Sequence, residues 1–253
     1  MTEIMAAWLK TKRESKSFFW RKAFLIIDSL QKTFENHENS RHLEKAMNMP
    51  VKALLKKIQK ETLRSRYFGI PAIKSPMDFW IYMEIVNEIK PDIIIEIGNA
   101  WGGMLLAFAH MLDHIGNGRV IGVDIDHSKI PLVVKAHHRI SLLEGDACGS
   151  FVRVKDLILP HHRVLIIEDS SHTYENTLNI LRTYNSLVSK GSYFIIEDSI
   201  INHGLIFRNG FHSGGPHEAI EAFIKENNDF VIDRTMERFL ITWNPKGYLR
   251  KIG

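Results

Sequence analysis

The chain has 253 residues, of which 45% are hydrophobic and 25% are charged, with a net charge of +4. This is the composition of a globular protein, and it excludes a disordered or a collagen-like chain. Its single cysteine, Cys148, excludes an internal disulfide and a zinc site made of several thiolates, so we expect a cytoplasmic location.

The first 70 residues are predicted to form a helical, basic N-terminal extension. They hold 15 Lys and Arg residues against 7 Asp and Glu, whereas residues 71–253 hold 18 against 22. Charged residues interrupt the apolar run from Phe18 to Leu30, so we predict neither a signal peptide nor a membrane span. The basic excess could contact an anionic membrane, nucleic acid or an acidic partner. We favour a solvated face that docks on the acidic remainder or on another subunit, and we expect a homo-oligomer without a nucleic-acid partner.

Residues 71–253 are predicted to form one α/β domain. Gly69 and Pro71 mark the break from the extension. An amphipathic helix from Pro76 to Lys90 follows, with Ser75 as its expected cap. Five apolar strands come next, with helical segments between most of them. This alternation predicts a doubly wound, mostly parallel, Rossmann-like sheet with right-handed crossovers.

The predicted sheet has seven strands. The five apolar strands cover residues 92–98, 119–124, 140–146, 163–169 and 193–198. The segments Phe230–Asp233 and Phe239–Trp243 are predicted to pair as an antiparallel C-terminal hairpin. Seven strands that end in such a hairpin are typical of class I S-adenosylmethionine (SAM) methyltransferases.

Polar residues follow the first three strands, at the edge where open α/β sheets bind ligands. Gly98 and Gly102 allow a tight turn, but their spacing is not the GxGxxG dinucleotide fingerprint. Asp124 could accept hydrogen bonds from the ribose hydroxyls of NAD or SAM, and Asp146 could meet an adenine amino group. Each acid alone could equally cap a helix, whereas three in the correct order favour SAM. The predicted cofactor residues are Glu96, Gly98, Asn99, Gly102, Gly103, Asp124, Asp126, Gly145, Asp146 and Asp169.

A second group of acids follows the fourth and fifth strands. Asp169, Glu197 and Asp198 would repel one another in a low-dielectric cleft, and a divalent cation such as Mg²⁺ would remove that repulsion. His172, three residues after Asp169, could take a proton from a substrate hydroxyl. The alternative is a set of helix-capping acids and a surface histidine, and we favour the metal site.

Several motifs in the correct order make residues 67–252 resemble the cephalosporin hydroxylase-like (rhamnosyl O-methyltransferase-like) family of class I SAM methyltransferases. These motifs are Phe68–Pro71, Pro76–Tyr82, Lys90–Gly98, Asp169–His172, Ile195–Asp198 and Asn244–Leu249. The resemblance implies that Asp169, Glu197 and Asp198 hold Mg²⁺. It also places His172 at the position of the general base in related metal-dependent sugar methyltransferases. Trp101 departs from the family pattern, in which we expect a small or polar residue at this position of the first loop.

The predicted function is therefore Mg²⁺-dependent transfer of a methyl group from SAM to a hydroxyl of a sugar, another diol-bearing small molecule or a glycoconjugate. One alternative is an NAD-dependent oxidoreductase or epimerase, which the missing GxGxxG and Tyr-x-x-x-Lys patterns disfavour. Another is a non-catalytic adaptor that binds a partner or a membrane through its basic N-terminus, which the intact acids and His172 disfavour. The glycine-containing loop over residues 201–218 is predicted to be a lid.

Overall fold

The computed structural model describes residues 47–201 and 214–253. The chain divides into two compact units after Leu54, and the unit Leu55–Gly253 contains the whole large sheet. The predicted domain boundary after residue 70 stays a prediction. The helices predicted before residue 47, and residues 202–213 of the predicted lid, lie outside the described residues.

The described residues form seven α-helices, nine strands and two short 3₁₀ helices. In chain order they are α1 (Val51–Thr62), β1 (Arg66–Tyr67), β2 (Ile70–Pro71), α2 (Pro76–Ile89), β3 (Ile93–Ile97), α3 (Gly103–Ile115), β4 (Arg119–Asp124), α4 (Leu132–Lys135), β5 (Ile140–Glu144), α5 (Phe151–Lys155), β6 (Val164–Glu168), α6 (Tyr174–Tyr184), a 3₁₀ helix (Asn185–Leu187), β7 (Tyr193–Ile196), α7 (Pro216–Glu226), β8 (Phe230–Ile232), a 3₁₀ helix (Arg234–Glu237) and β9 (Tyr248–Lys251). Among these helices, none combines the length and the apolar character that crossing a membrane requires.

The seven-stranded sheet has the order β5-β4-β3-β6-β7-β9-β8. The strands from β3 to β7 pair in parallel, and β9 pairs antiparallel with both β7 and β8. The predicted fold class is therefore confirmed, including the C-terminal hairpin. The chain runs outward from β3 through β4 to β5 and then returns to β6 on the other side of β3. Open α/β sheets bind ligands at the carboxyl ends of the strands beside such a reversal.

The central strand β3 is buried along its whole length, as its continuous Ile-Ile-Ile-Glu-Ile sequence predicts. Successive side chains of a strand point to opposite faces of the sheet. Ile94 accordingly packs in one hydrophobic core with α2 and α3, whereas Ile93 and Ile95 pack in a second core with α6 and α7. The sheet is thus covered by helices on both faces, and its free ends remain available for a site.

The last strand is not where the sequence analysis placed it. The predicted strand Phe239–Trp243 is wrong, because β9 at Tyr248–Lys251 is the partner of β8. Leu240 is 92% exposed and has a φ of 65°, which a ladder strand does not adopt. Trp243 donates its backbone N–H to Asp78, at 2.9 Å, instead of to a neighbouring strand.

Asp78, in the first turn of α2, joins the C-terminal segment to the rest of the domain. Its carboxylate is buried and accepts hydrogen bonds from the Thr242 hydroxyl (2.5 Å), the Trp243 N–H (2.9 Å) and the Tyr248 hydroxyl (2.8 Å). The same turn confirms the predicted cap, since Ser75 Oγ accepts the N–H of Asp78 at 3.5 Å. One buried acid therefore fixes the C-terminal segment from Thr242 to Tyr248.

We expect Asp78→Ala to lower the free energy of unfolding by about 3–5 kcal/mol, because it leaves three donors without their acceptor in a buried place. Urea denaturation followed by circular dichroism measures the change. The control Asp156→Ala removes an exposed acid and should change the stability by less than about 0.5 kcal/mol. Equal losses in the two variants would contradict the role of Asp78 as a buried anchor.

Candidate functional site

A cleft of about 330 Å³ opens at the carboxyl ends of β3, β4, β5 and β6. Its volume lies within the range of pockets that hold small molecules and cofactors. Five of the predicted cofactor residues line it, and they come from four different strand ends: Gly98, Asp124, Gly145, Asp146 and Asp169. The structure therefore brings together residues that are up to 71 positions apart in the sequence.

The loop after β3 passes very close to the loop after β6. Gly98 has a φ of +87°, and a Cβ atom on it would lie 2.1 Å from the carbonyl oxygen of Asp169. Gly102 precedes α3 as its N-cap with a φ of +78°, and Gly103 packs against the carbonyl of Pro71, so both serve close packing. The buried Asn99 side chain donates to the Glu96 carbonyl at 2.8 Å.

Asp124 both holds this loop and lines the cleft. Its Oδ2 accepts the backbone N–H groups of Asn99 (2.6 Å) and Ala100 (3.1 Å), whereas its Oδ1 has a 3.4 Å contact with the N–H of Asp126. Oδ1 therefore keeps capacity for a hydroxyl donor in the cleft. Asp126 is not among the residues that line the cleft, and its carboxylate binds the N–H and hydroxyl of Ser128. The cofactor role of Asp126 stays a prediction.

The acids after β6 and β7 meet beside the cleft, as the sequence predicts. Nε2 of His172 lies 3.4 Å from Asp198 Oδ2 and 3.8 Å from Asp169 Oδ1. One ligand atom from each of these three residues fits within 4.8 Å of the others, which is close enough for a single metal ion. Glu197 is buried next to this group, and its Oε1 has no hydrogen-bond partner among the described residues.

Lys74 lies in the middle of this cluster, and the sequence analysis did not single it out. Its Nζ donates to Asp169 Oδ2 at 2.5 Å and also contacts Glu197 Oε2. The lysine is 6% exposed, and it lines a smaller pocket of about 50 Å³ together with Glu96 and Trp101. Its signal in the sequence was weak, because it stands 95 residues before Asp169 in the segment that leads to α2. The only indication in the sequence is the excess of acids after β6 and β7, which favours positive charge from another part of the chain or from a metal ion.

The ammonium of Lys74 lies among more than one carboxylate, and burial shifts the pKa values of these groups. Burial alone would lower the pKa of Lys74, but Asp169, Glu197 and Glu96 outweigh burial and raise that pKa above its usual range. Burial raises the pKa of Glu96 to about 8 even though Lys74 opposes the shift. Burial also raises the pKa of Glu197, where Asp169 adds to it, and of Asp198, where His172 opposes it. A buried cluster with surplus carboxylates and an unpartnered Glu197 oxygen fits a divalent cation.

Two members of the cluster adopt the left-handed backbone conformation, which costs about 1–3 kcal/mol for a residue other than glycine. His172 has a φ of 55° and Asp198 a φ of 54°. Asn244 supports the second of them, because its Oδ1 accepts the N–H of Asp198 at 3.0 Å while its Nδ2 donates to the Tyr82 hydroxyl at 2.7 Å. Strain that is maintained by neighbouring contacts is typical of a functional site.

Comparison with known proteins identifies the family of this chain. The sequence model of the family "Rhamnosyl O-methyltransferase/CmcI" matches residues 59–252. The chain belongs to this family. The rhamnosyl O-methyltransferase of Mycobacterium leprae is 32% identical over 190 residues, which is 72% of this chain and 81% of that protein. The rhamnosyl O-methyltransferase of Mycobacterium tuberculosis H37Rv is 32% identical over 192 residues, which is 74% of this chain and 78% of the other.

Solved structures of CmcI have the same fold as this chain. The apo-structure of CmcI is 26% identical, with a TM-score of 0.58, and the match covers 76% of this chain and 77% of CmcI. The Mg–SAM form of CmcI is 24% identical, with a TM-score of 0.60 and coverage of 76% and 78%. Membership confirms the predicted family and the predicted O-methyltransferase class. The roles of the individual site residues stay predictions.

We expect Gly98→Ala to destabilise the protein far more than Gly116→Ala. Both glycines have φ near +86°, so alanine costs about 1–2 kcal/mol at either position. Gly116 has nothing within 4 Å of its Cβ position, whereas Gly98 would overlap the backbone of Asp169. Thermal unfolding should therefore show a loss of at least about 3 kcal/mol for Gly98→Ala alone. Similar midpoints for the two variants would contradict the close approach of the two loops.

Proposed function

We propose that this protein is a SAM-dependent and Mg²⁺-dependent O-methyltransferase that acts on a hydroxyl of a sugar, another diol-bearing small molecule or a glycoconjugate. The observation that carries the proposal is the shared position of Asp169, which lines the cleft and also belongs to the cluster of acids and histidine. A methyl donor and an acceptor hydroxyl could therefore lie on the two sides of one residue. The rhamnosyl acceptor named for the mycobacterial relatives supports a sugar.

The residues of the cleft fit SAM, which supplies an electrophilic methyl group when it is bound. Asp124 Oδ1 is suited to accept a hydrogen bond from a ribose hydroxyl. Asp146, two residues after β5, is suited to accept one from the adenine amino group. Gly98 lets the loop after β3 approach the backbone of Asp169 closely, and both residues line the cleft. The GxGxxG loop of an NAD-binding protein is missing after β3, which disfavours the oxidoreductase alternative.

Asp169, Glu197 and Asp198 would hold the divalent cation, because carboxylate oxygens suit its coordination. Oxygens of Asp169 and Asp198 lie close enough together for one ion, and Glu197, which shares Lys74 with Asp169, has an oxygen without a hydrogen-bond partner among the described residues. When bound, the cation supplies positive charge that orients and acidifies an acceptor hydroxyl. His172 Nε2 accepts the proton of that hydroxyl, and the carboxylates of Asp169 and Asp198 stabilise the resulting imidazolium from 3.8 and 3.4 Å. The buried acids and the histidine thus have distinct roles, and an adaptor without chemistry would need neither.

The remaining predictions concern the setting of the enzyme. A cytoplasmic location, a homo-oligomeric state and contact of the basic N-terminal residues with a membrane stay predictions. The same holds for the lid over residues 201–218, since residues 202–213 lie outside the described part of the chain.

We expect the purified protein to methylate a rhamnoside or a related vicinal diol with labelled SAM, and EDTA to abolish the reaction. Mass spectrometry of products from a panel of sugars, glycolipids and catechols provides the measurement.

Asp198→Asn keeps the shape of the side chain but removes a charge, so the rate should fall at least about 100-fold. SAM affinity, measured by calorimetry, should change less than about threefold, because Asp198 does not line the cleft. A rate that is unaffected by both EDTA and Asp198→Asn would refute the metal requirement.

We expect His172→Gln to lower kcat by about 10²–10⁴, since glutamine cannot accept the proton. The binding of SAM and of Mn²⁺, used as a paramagnetic substitute for Mg²⁺, should persist. His138→Gln is the control, because it replaces an exposed histidine that lies beside Asp113 and not beside the cleft. Loss of Mn²⁺ binding in His172→Gln would instead identify His172 as a ligand.

A further inference from the structure

The position of Lys74 raises a question about the metal site, because its ammonium contacts two of the three proposed ligands. It donates to Asp169 Oδ2 at 2.5 Å and contacts Glu197 Oε2. The side chains of Lys74 and Glu197 are each 5% exposed, so water does little to screen this interaction. Lys74 is thus a fixed positive charge inside the cluster.

The cluster is divided by this contact into two halves. On the inner side, Lys74 takes one oxygen of Asp169 and one of Glu197. On the outer side, the other oxygen of Asp169 faces His172, which also faces Asp198. Glu197 Oε1 has no hydrogen-bond partner among the described residues. A divalent cation that used Asp169, Glu197 and Asp198 would have to share carboxylates with the ammonium or displace it.

We propose that Lys74 is a resident cation that competes with the divalent ion for Asp169 and Glu197, and thereby sets the metal affinity of the site. The inference rests on the proposed function, since it assumes a metal at these acids. Without the metal, the lysine keeps the buried carboxylates compatible with a folded site. With the metal, its nearby positive charge weakens binding, so that the site holds the ion less tightly than its acids alone would.

Other roles for Lys74 make different predictions. If the lysine bound the carboxylate of SAM from the smaller pocket beside Gly98, its removal would weaken SAM binding and leave metal binding unchanged. If the lysine only stabilised the fold, its removal would lower stability equally with and without metal. Competition alone predicts that removing the lysine strengthens metal binding.

The test compares wild type with Lys74→Met by calorimetric titration of Mn²⁺ in the absence of SAM. We expect the Mn²⁺ affinity of Lys74→Met to rise at least about tenfold, because one unit charge at close range is worth at least this much in a buried site. In EDTA, the thermal midpoint of Lys74→Met should fall by at least about 5 °C, because buried carboxylates lose their counter-ion. Saturating Mn²⁺ should restore most of that loss, and the SAM affinity should stay within about threefold of the wild-type value.

Two further variants keep the result interpretable. Lys155→Met removes an exposed lysine of α5 and should leave Mn²⁺ affinity unchanged, which controls for the change in net charge. Lys74→Gln removes the charge but keeps a hydrogen-bond donor, and its Mn²⁺ affinity is measured in the same way if Lys74→Met does not fold. The competition is overturned if the folded variant binds Mn²⁺ no more tightly than the wild type does. A wild-type protein that binds no Mn²⁺ instead overturns the metal requirement of the proposed function.

Discussion

The site depends on the repulsion between carboxylates that two neighbouring parallel strands carry to the same edge of the sheet. β6 and β7 pair side by side, so the acids that follow them meet in one partly buried place. Positive charge or protonation relieves the repulsion between such groups. Lys74 provides positive charge at Asp169 and Glu197, and burial together with Asp169 still raises the pKa of Glu197. The strained turn at His172 and the support of Asp198 by Asn244 are arranged around this constraint.

Most of the sheet could be predicted because its strands are encoded locally. A short continuous apolar run rich in isoleucine, such as that of β3, is typical of a strand buried on both faces. The last strand could not be placed in this way. Tyr248–Lys251 has four residues, and the apolar stretch before it looks more like a strand than β9 does. What fixes the earlier stretch is a set of donors to Asp78, and this acid lies more than 160 residues away.

The site was predictable to the extent that it follows from strand ends. Asp169, His172 and Asp198 stand directly after β6 and β7, and parallel topology brings them together. Lys74 and Asn244 reach the cluster from segments 95 and 46 residues distant from their partners. Neither belongs to a strand end, and neither lies in a recognisable ligand spacing. Lys74 lies in none of the motifs that the sequence showed, and the motif Asn244–Leu249 gives no indication that Asn244 supports Asp198. Their roles come from tertiary packing.

Asp169 lies in the wall of the cleft and in the cluster of acids at the same time. A ligand in the cleft and a cation at the acids would therefore both depend on this one side chain. Where the binding of one changes the affinity for the other, the change is the same factor in both directions. The close approach of the Gly98 loop to the backbone of Asp169 positions the residue on which such coupling would depend.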